Sequence, residues 1–202
     1  LITFLAWDFG KWLAHYLAHK VPLLWEFHKP HHAAEVLTPI SAYRAHPFDI
    51  MLDFLFRLLF TGVTGGVFAW MYPSGIAELQ ILGFNAAGLL LTYLIGHLQH
   101  SHIPLGYGPF WSRILISPVM HQIHHSCEVR HWDKNFGFGF ALWDTLFRTV
   151  YVPERGESVT LGLPAGKGAG QYTTLREMYL RPFLGCWRLL ARRQPPAPTT
   201  AA

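Results

Sequence analysis

The chain has 202 residues, of which 51% are hydrophobic and 15% aromatic but only 14% charged. Ordinary soluble domains carry about 25% charged residues, so a chain embedded in lipid is favoured over a soluble domain that buries nearly all of its side chains. The net charge of +4 is not arranged in basic runs between exposed aromatic residues, which argues against a nucleic-acid-binding protein.

The first predicted element is a helix from Leu1 to about His19, the end of a membrane helix. Asp8, Trp12, His15 and His19 recur at spacings of three and four residues, so they share one face. Because the chain begins inside an apolar run, we expect one or more further spanning helices before this point.

A polar connection, Val21–Pro47, is predicted to follow, rich in histidine and proline. Proline interrupts a helix that continues through it. We therefore expect a helix to begin at Pro30, with His31 and His32 in its first turn and His28 just outside.

The next predicted elements are two membrane-spanning helices, Ile50–Tyr72 and Glu78–Leu98, joined as a hairpin. The second contains Leu79–Leu98, and a run of about twenty apolar residues is long enough to cross a bilayer. Gly62 and Gly66 form a GxxxG pattern, which predicts close helix packing in the first.

A short helix is predicted at Ser117-Pro118, a pair typical of an N-cap followed by the first helical residue. It carries His121, His124 and His125. The region from 153 to 202 is predicted to form a glycine-rich loop, then a helix that begins with a Thr174/Glu177 capping box, and finally a disordered tail, Gln194–Ala202. That helix is amphipathic, and its pattern suits either an anionic membrane surface or packing on the core.

Thirteen histidines carry the strongest functional signal. Imidazole is the commonest metal ligand in proteins, and nitrogen-only sites suit iron, zinc or copper rather than magnesium or calcium. Eight histidines in tight groups, plus one from a looser group, are predicted to bind two metal ions. The three tight groups are His15 and His19; His28, His31 and His32; and His121, His124 and His125.

The looser group contains His97, His100 and His102, and the spacing does not decide which of them binds metal. His46 and His131 belong to no ligand-like spacing, so we expect them to be supporting residues. Glu-x-x-His occurs once, from Glu128 to His131, whereas carboxylate-bridged di-iron bundles use two such motifs, and His-Glu-x-x-His does not occur. The pattern therefore argues against those bundles and against zinc-protease helices.

These motifs together resemble the fatty acid hydroxylase/sterol desaturase superfamily. The resemblance covers about residues 8 to 152. It rests on Asp8-x3-Trp12-x2-His15-x3-His19, His28-x2-His31-His32, Arg44-x-His46-Pro47, His100-Ser101, His121-x2-His124-His125, Asn135-Phe136-Gly137 and Leu142-Trp143-Asp144-x2-Phe147. Arg148 stands where that last signature commonly has glycine.

The resemblance implies an all-α integral membrane helical bundle with a histidine-ligated dimetal site on the cytoplasmic side. The ligands and catalytic residues it implies are His15, His19, His28, His31, His32, His100, His121, His124 and His125, with His97 or His102 as alternatives to His100. It also makes Asp8, Asn135 and Asp144 candidates for orienting ligand histidines. The expected cofactors are two iron ions, or zinc as isolated, with O2 as co-substrate.

The implied activity is hydroxylation, or desaturation, of a membrane lipid, with electrons from an external reductase, ferredoxin or cytochrome. Residues 1–152 would form the membrane-embedded catalytic core, and residues 153–202 the C-terminal loop, amphipathic helix and tail. After His102 eleven Lys and Arg face six Asp and Glu, which favours the cytoplasmic side of a bacterial inner membrane, or of the endoplasmic reticulum in a eukaryote. The alternatives are a membrane zinc-dependent lipid hydrolase and a non-catalytic metal-binding membrane protein.

Overall fold

The computed structural model describes residues 2–72, 90, 93–154 and 156–191. Within these residues the chain is helical, and its β pairing is limited to two isolated bridges. This confirms the all-α class. The helices are α1 (Ile2–Lys20), α2 (Pro22–His32), α3 (Pro47–Met71), α4 (Gly108–Trp111), α5 (Pro118–His124), α6 (Leu142–Leu146) and α7 (Leu175–Ala191), with short 3-10 turns at Pro39–Tyr43 and Val129–His131.

The long helices α1 and α3 pack against each other at Gly10. A Cβ atom placed on Gly10 would lie 2.8 Å from the carbonyl oxygen of Phe56 and 3.1 Å from the Cα of Arg57. The helix expected to pack at Gly62 and Gly66 lies mostly outside the described residues, and among these nothing lies within 4 Å of a Cβ at either position. The close approach of α1 and α3 is made by Gly10 of α1.

Replacing Gly10 with Ala should therefore destabilise the folded chain by about 1–3 kcal/mol, since the added methyl group forces two helix backbones apart. Gly62→Ala is the matched control, and it should raise stability by up to about 1 kcal/mol because alanine is the better helix former. Chemical unfolding in detergent measures both free energies. Equal effects of the two substitutions would contradict the packing described here.

Helix α2 begins earlier than the sequence predicts. Val21 is its N-cap in extended conformation and Pro22 occupies the first turn, where a missing N–H costs nothing. Pro30 lies inside the last turn rather than at the start, and its carbonyl accepts a hydrogen bond from Arg44 Nε at 2.9 Å. The predicted start at Pro30 is thus wrong, and His28 lies within the helix.

Helix α3 confirms the first predicted apolar helix. It has 25 residues, an 18-residue stretch of it has a mean hydropathy of 1.5, and none of its residues is buried. By length and composition it is the one helix among the described residues that could cross a membrane. Residues 93–99 are helical, whereas most of the second predicted span lies outside the described residues.

The C-terminal helix α7 packs on α2 and keeps part of its apolar surface exposed. The predicted capping box is present, because the Glu177 backbone N–H donates to Thr174 Oγ1 at 3.2 Å and Thr174 N–H donates back to the Glu177 carboxylate at 3.3 Å. His46 Nε2 lies 3.3 Å from the carbonyl oxygen of Tyr179, which fixes the helix beside the N-terminus of α3. The predicted tail falls outside the described residues.

Candidate metal centre

Five of the histidines predicted as ligands lie together at the junction of α1, α2 and α5. We call them the five-histidine cluster: His15, His19, His28, His32 and His124. Each offers one ring nitrogen, and these atoms lie within 4.8 Å of one another. All five Nε2 atoms are buried and have no hydrogen-bond partner among the described residues. Buried polar atoms are nearly always satisfied, so five unsatisfied nitrogens at one point fit a metal ion.

Hydrogen bonds at the opposite ring nitrogen set the tautomer of three of these side chains. His15 Nδ1 lies 2.9 Å from the carbonyl oxygen of Phe136, and His124 Nδ1 lies 2.8 Å from that of Lys134. A carbonyl oxygen only accepts, so each Nδ1 carries the proton and each Nε2 keeps its lone pair. His28 Nδ1 donates to the Asp49 carboxylate at 2.9 Å, with the same result. These bonds orient the rings as metal-ligating histidines require.

The other four predicted ligands form the four-histidine cluster: His31, His100, His121 and His125. Their Nε2 atoms lie 3.2 Å apart between His31 and His100, 3.1 Å between His100 and His121, and 3.1 Å between His121 and His125. Metal–nitrogen bonds of about 2.0–2.1 Å place tetrahedrally arranged nitrogens roughly 3.3–3.4 Å apart, close to these spacings.

The geometry of one pair in this cluster fits a positive charge between its nitrogens. His31 Nδ1 donates to the carbonyl oxygen of Arg44 at 3.3 Å, and His100 Nδ1 donates to that of Gly96 at 3.1 Å. Both Nε2 atoms therefore carry lone pairs, yet they face each other at 3.2 Å. Two neutral acceptors cannot hydrogen bond to each other, so the arrangement fits a shared cation.

Burial keeps these imidazoles in the neutral form that binds metal. It lowers the pKa of His124 to about 3, and together with the neighbouring histidines it holds the pKa of His32 and His125 well below 6.5. A neutral imidazole is the ligand form, so the site needs no proton release before a metal binds.

The metal-free chain should consequently lose stability as the pH falls below 6.5. The unfolded chain takes up protons near the ordinary histidine pKa of 6.5, whereas folded His124 does so only near pH 3. Stability is thus full above 6.5 and declines toward 3, by about 1.4 kcal/mol per pH unit for each such histidine. Chemical unfolding after chelation, at about pH 7 and pH 5, measures the change; an unchanged midpoint would contradict burial of neutral histidines.

Four histidines lie outside both clusters. His97 Nε2 lies 3.0 Å from the Tyr43 hydroxyl, and His102 is exposed. His46 caps α3 by accepting from the backbone N–H of Phe48 at 3.0 Å. His131 is fully buried between Ser126 Oγ at 2.9 Å and Glu157 Oε1 at 3.1 Å. Of the loose group, His100 alone joins a cluster.

The expected direct contacts of Asp8, Asn135 and Asp144 with ligand histidines are wrong within the described residues. Asp144 instead accepts from the backbone N–H groups of Phe136 at 3.0 Å and Gly137 at 2.7 Å. It therefore holds the loop whose carbonyl orients His15. All three side chains are completely buried, and each hydrogen bonds to backbone groups as well as, for the two aspartates, to neighbouring side chains.

The other two act in the same manner. Asp8 accepts from the Gly139 N–H at 3.0 Å and from the Trp143 indole at 2.9 Å. Asn135 donates to the carbonyl oxygen of Met120, beside His121, at 3.0 Å. Among the described residues, the carboxylate that contacts a ligand histidine is that of Asp49, which the sequence did not predict. In the sequence Asp49 is only a carboxylate at the start of a predicted helix, a common position for an acidic residue. Its contact with His28 is apparent only in the folded structure.

A cavity of about 390 Å³ opens beside both clusters. Its histidine wall contains His15 and His28 from the first cluster and His31, His100 and His121 from the second. Ile50 and Leu52 of α3 and the ring of Phe138 contribute apolar wall. An ion pair also lines it, between Lys11 Nζ and Asp53 at 3.4 Å. The cavity thus gives a largely apolar molecule access to both candidate metal positions.

The family model for fatty acid hydroxylases matches residues 1–149. The chain belongs to the fatty acid hydroxylase family. Membership confirms the resemblance seen in the histidine motifs, and family members are histidine-rich, metal-dependent membrane enzymes. Arg148, at a position where the family commonly has glycine, adopts a positive φ of 61°, a conformation that glycine takes more easily.

Curated relatives of this fatty acid hydroxylase family member are named for oxidations of lipids. The chain is 29% identical to an ornithine lipid hydroxylase of Rhizobium tropici, over 86% of this chain and 48% of the relative. It is 29% identical to the human alkylglycerol monooxygenase, over 80% of this chain and 32% of the relative. It is 25% identical to the lathosterol oxidase of Rattus norvegicus, over 80% and 44%. The chain thus spans less than half the length of these relatives, and no solved structure matched it.

Proposed function

We propose that this chain is the catalytic core of a membrane-bound lipid hydroxylase that uses O2 at two iron ions, one in each histidine cluster. The observation that supports this most strongly is the division of nine histidines, six buried and three half-buried, into clusters of five and four beside one cavity. Nitrogen ligands suit iron, and the relatives' names place related chains in lipid oxidation. Residues 1–152 would supply this core, because all nine histidines and the cavity lie within them.

The ligands under this proposal are His15, His19, His28, His32 and His124 for one ion and His31, His100, His121 and His125 for the other. Bound iron would supply the redox chemistry that activates O2, which no protein side chain here provides. In hydroxylation one oxygen atom enters a C–H bond and the other leaves as water, with two electrons and two protons consumed. Desaturation within the same family would remove two hydrogens instead.

The residues of the chain itself position the lipid and keep water out. The substrate would lie in the 390 Å³ cavity, against Ile50 and Leu52 on one side and the histidines on the other. Phe138 lines this cavity and lies under the Lys11 ammonium group, which is 4.6 Å from its ring centre. The cavity walls therefore hold a C–H bond near both clusters, and positioning of this kind determines which carbon reacts.

The membrane supplies the substrate in this proposal. Helix α3 exposes apolar side chains such as Phe54, Leu58 and Val63 along its length, which suits contact with lipid tails. Because α3 also lines the cavity through Ile50 and Leu52, a lipid could enter sideways from the bilayer. The basic excess after His102 supports a site at the cytoplasmic face of the membrane.

Electrons must come from a donor outside these 202 residues. The sequence has no Gly-x-Gly-x-x-Gly motif after a strand and no haem-attachment motif, so an external reductase, ferredoxin or cytochrome is the proposed donor. The zinc hydrolase alternative is less favoured, because the relatives are named as a hydroxylase, a monooxygenase and an oxidase.

Lipid mass spectrometry tests this function. Membranes of cells expressing the chain in its full-length protein should contain a lipid that has gained one oxygen atom or lost two hydrogens. The product should require O2, and isotopically labelled O2 should label it in the hydroxylation case. Lipid cleavage that proceeds without O2, in a preparation holding zinc alone, would contradict the proposal and support the hydrolase.

A further inference from the structure

A second cavity, of about 300 Å³, lies between α2, the loop 164–172 and α7. None of its lining residues belongs to either histidine cluster or to the first cavity. Its size is at the lower end of the range typical of small-molecule sites. Nothing in the lipid oxidation proposed above uses it.

The walls of this cavity are strongly basic. Four cationic side chains line it, Lys29, Lys167, Arg181 and Arg188, against the single carboxylate of Glu26. The lining therefore carries a formal charge of +3, from four positive groups and one negative group. A concave surface of one charge sign concentrates ligands of the opposite sign.

Two of the four cations already have carboxylate partners. Lys29 Nζ pairs with Glu26 at 2.5 Å, and Arg181 pairs at 2.8 Å with Glu177, which lies outside the cavity. Lys167 and Arg188 have no carboxylate partner among the described residues. Lys167 Nζ lies over the Trp132 ring at 4.0 Å, which positions it without neutralising its charge. Two positive groups in this cavity are thus available to an anion.

The loop adds backbone donors to these charges. Gly166 and Gly168 line the cavity with positive φ angles of 76° and 123°. Within the described residues their backbone N–H groups have no hydrogen-bond partner, whereas the neighbouring Lys167 N–H donates to Pro164 at 3.0 Å. Gly166 and Gly168 flank Lys167, so two N–H groups of this loop are unpaired beside the cavity, and unpaired loop N–H groups can bind an anion. Cationic side chains and free amides together are the usual donors to a phosphate group.

An exposed apolar surface adjoins the cavity on α7. Leu184 lines the cavity and is 54% exposed, while Phe183 and Trp187 beside it are 56% and 70% exposed. A phosphate with attached acyl chains would contact both surfaces at once, the phosphate in the basic cavity and the chains on the helix. This combination favours a lipid headgroup over a soluble anion.

We propose that this cavity binds a phosphate group, supplied by the headgroup of an anionic phospholipid. Lys167 and Arg188 are the principal charged contacts, with Gly166 and Gly168 as backbone donors. The bound headgroup would hold α7 at the membrane surface, independently of the metal sites.

Calorimetric titration of the full-length protein in uncharged detergent tests this site. The probes are dihexanoyl phosphatidic acid, dihexanoyl phosphatidylcholine with the same chains but no net charge, and inorganic phosphate. We expect phosphatidic acid to bind at least about tenfold more tightly than phosphatidylcholine. Lys167→Ala and Arg188→Ala should each weaken it about tenfold, as loss of a charge-assisted hydrogen bond does.

Arg176→Ala is the matched control, because Arg176 is an exposed cation of α7 that does not line the cavity. It should weaken binding less than about twofold, like other exposed surface charges. Circular dichroism should show equal helix content in all variants. Tight binding of inorganic phosphate with the same dependence on Lys167 and Arg188 would support the phosphate site but identify a soluble phosphate, and not a lipid headgroup, as its ligand. Equal losses for Arg176→Ala and Arg188→Ala, or no loss for Arg188→Ala, would overturn the proposal.

Discussion

Replacing His100 with Ala should remove the metal from the four-histidine cluster and abolish lipid oxidation, whereas His102→Ala should leave both unchanged. His100 Nε2 lies 3.2 Å from His31 Nε2 and 3.1 Å from His121 Nε2, so it links two other members of the cluster. Loss of an outer hydrogen-bonding partner already weakens metal binding by about 10–100-fold, and loss of a ligand should exceed that. Metal analysis of the purified variants measures the effect.

His97→Ala provides a closer control for the metal site. His97 is three residues from His100 and its ring contacts the Tyr43 hydroxyl, so its removal should leave the metal content unchanged. Activity can still decrease, because His97 lines the cavity proposed for the substrate. If His97→Ala or His102→Ala lost one metal ion while His100→Ala kept both, the assignment of His100 as the ligand in this group would be wrong.

Asp49→Ala should weaken metal binding in the five-histidine cluster by about 10–100-fold. The Asp49 carboxylate accepts a hydrogen bond from His28 Nδ1 at 2.9 Å, which keeps the lone pair on the Nε2 that faces the cluster. Without it His28 can rotate or exchange its tautomer, so less of the protein is ready to bind. Competition with a chelator of known affinity gives the change in metal dissociation constant.

Asp53→Asn is the control for this prediction. Asp53 lies one helical turn further along α3 and pairs with Lys11 at 3.4 Å and Arg57 at 2.6 Å rather than with a histidine. Its substitution should leave the metal dissociation constant unchanged within about twofold, the effect typical of a partly exposed ion pair. If both aspartates affected metal binding equally, charge near the site would matter rather than the hydrogen bond to His28.

The sequence predicted much of this site because histidine spacing maps directly onto helix geometry. His15 and His19 on α1, and His121, His124 and His125 on and just after α5, follow the three- and four-residue intervals of one helical face. The nine residues predicted as ligands are the nine that the structure brings into two clusters. Their division between the clusters was not predictable, since His31 and His32 are neighbours in sequence but lie in different clusters.

The errors arose where tertiary contacts outweigh a local rule. Pro30 was expected to start a helix, yet α2 continues through it. A proline this close to the end of a helix removes only one backbone hydrogen bond, and this last turn is packed on other elements. Asp8 and Asp144 were expected to hydrogen bond to histidine rings, but both carboxylates accept from backbone N–H groups of a loop instead. The donor to Asp8 is Gly139, more than a hundred residues away in sequence. The donors to Asp144 are Phe136 and Gly137, eight and seven residues away. Such hydrogen-bond partners depend on the tertiary fold, and no regular spacing in the sequence predicts them.

The metal content of the purified chain tests the central claim most directly. With one ion in each cluster, the wild-type protein should hold two iron ions per chain, His19→Ala should lose the ion of the five-histidine cluster, and His121→Ala that of the four-histidine cluster. Each variant should therefore retain one ion. A single ion in the wild-type protein, or loss of both ions from either variant together with an intact fold, would contradict two separate histidine-ligated sites.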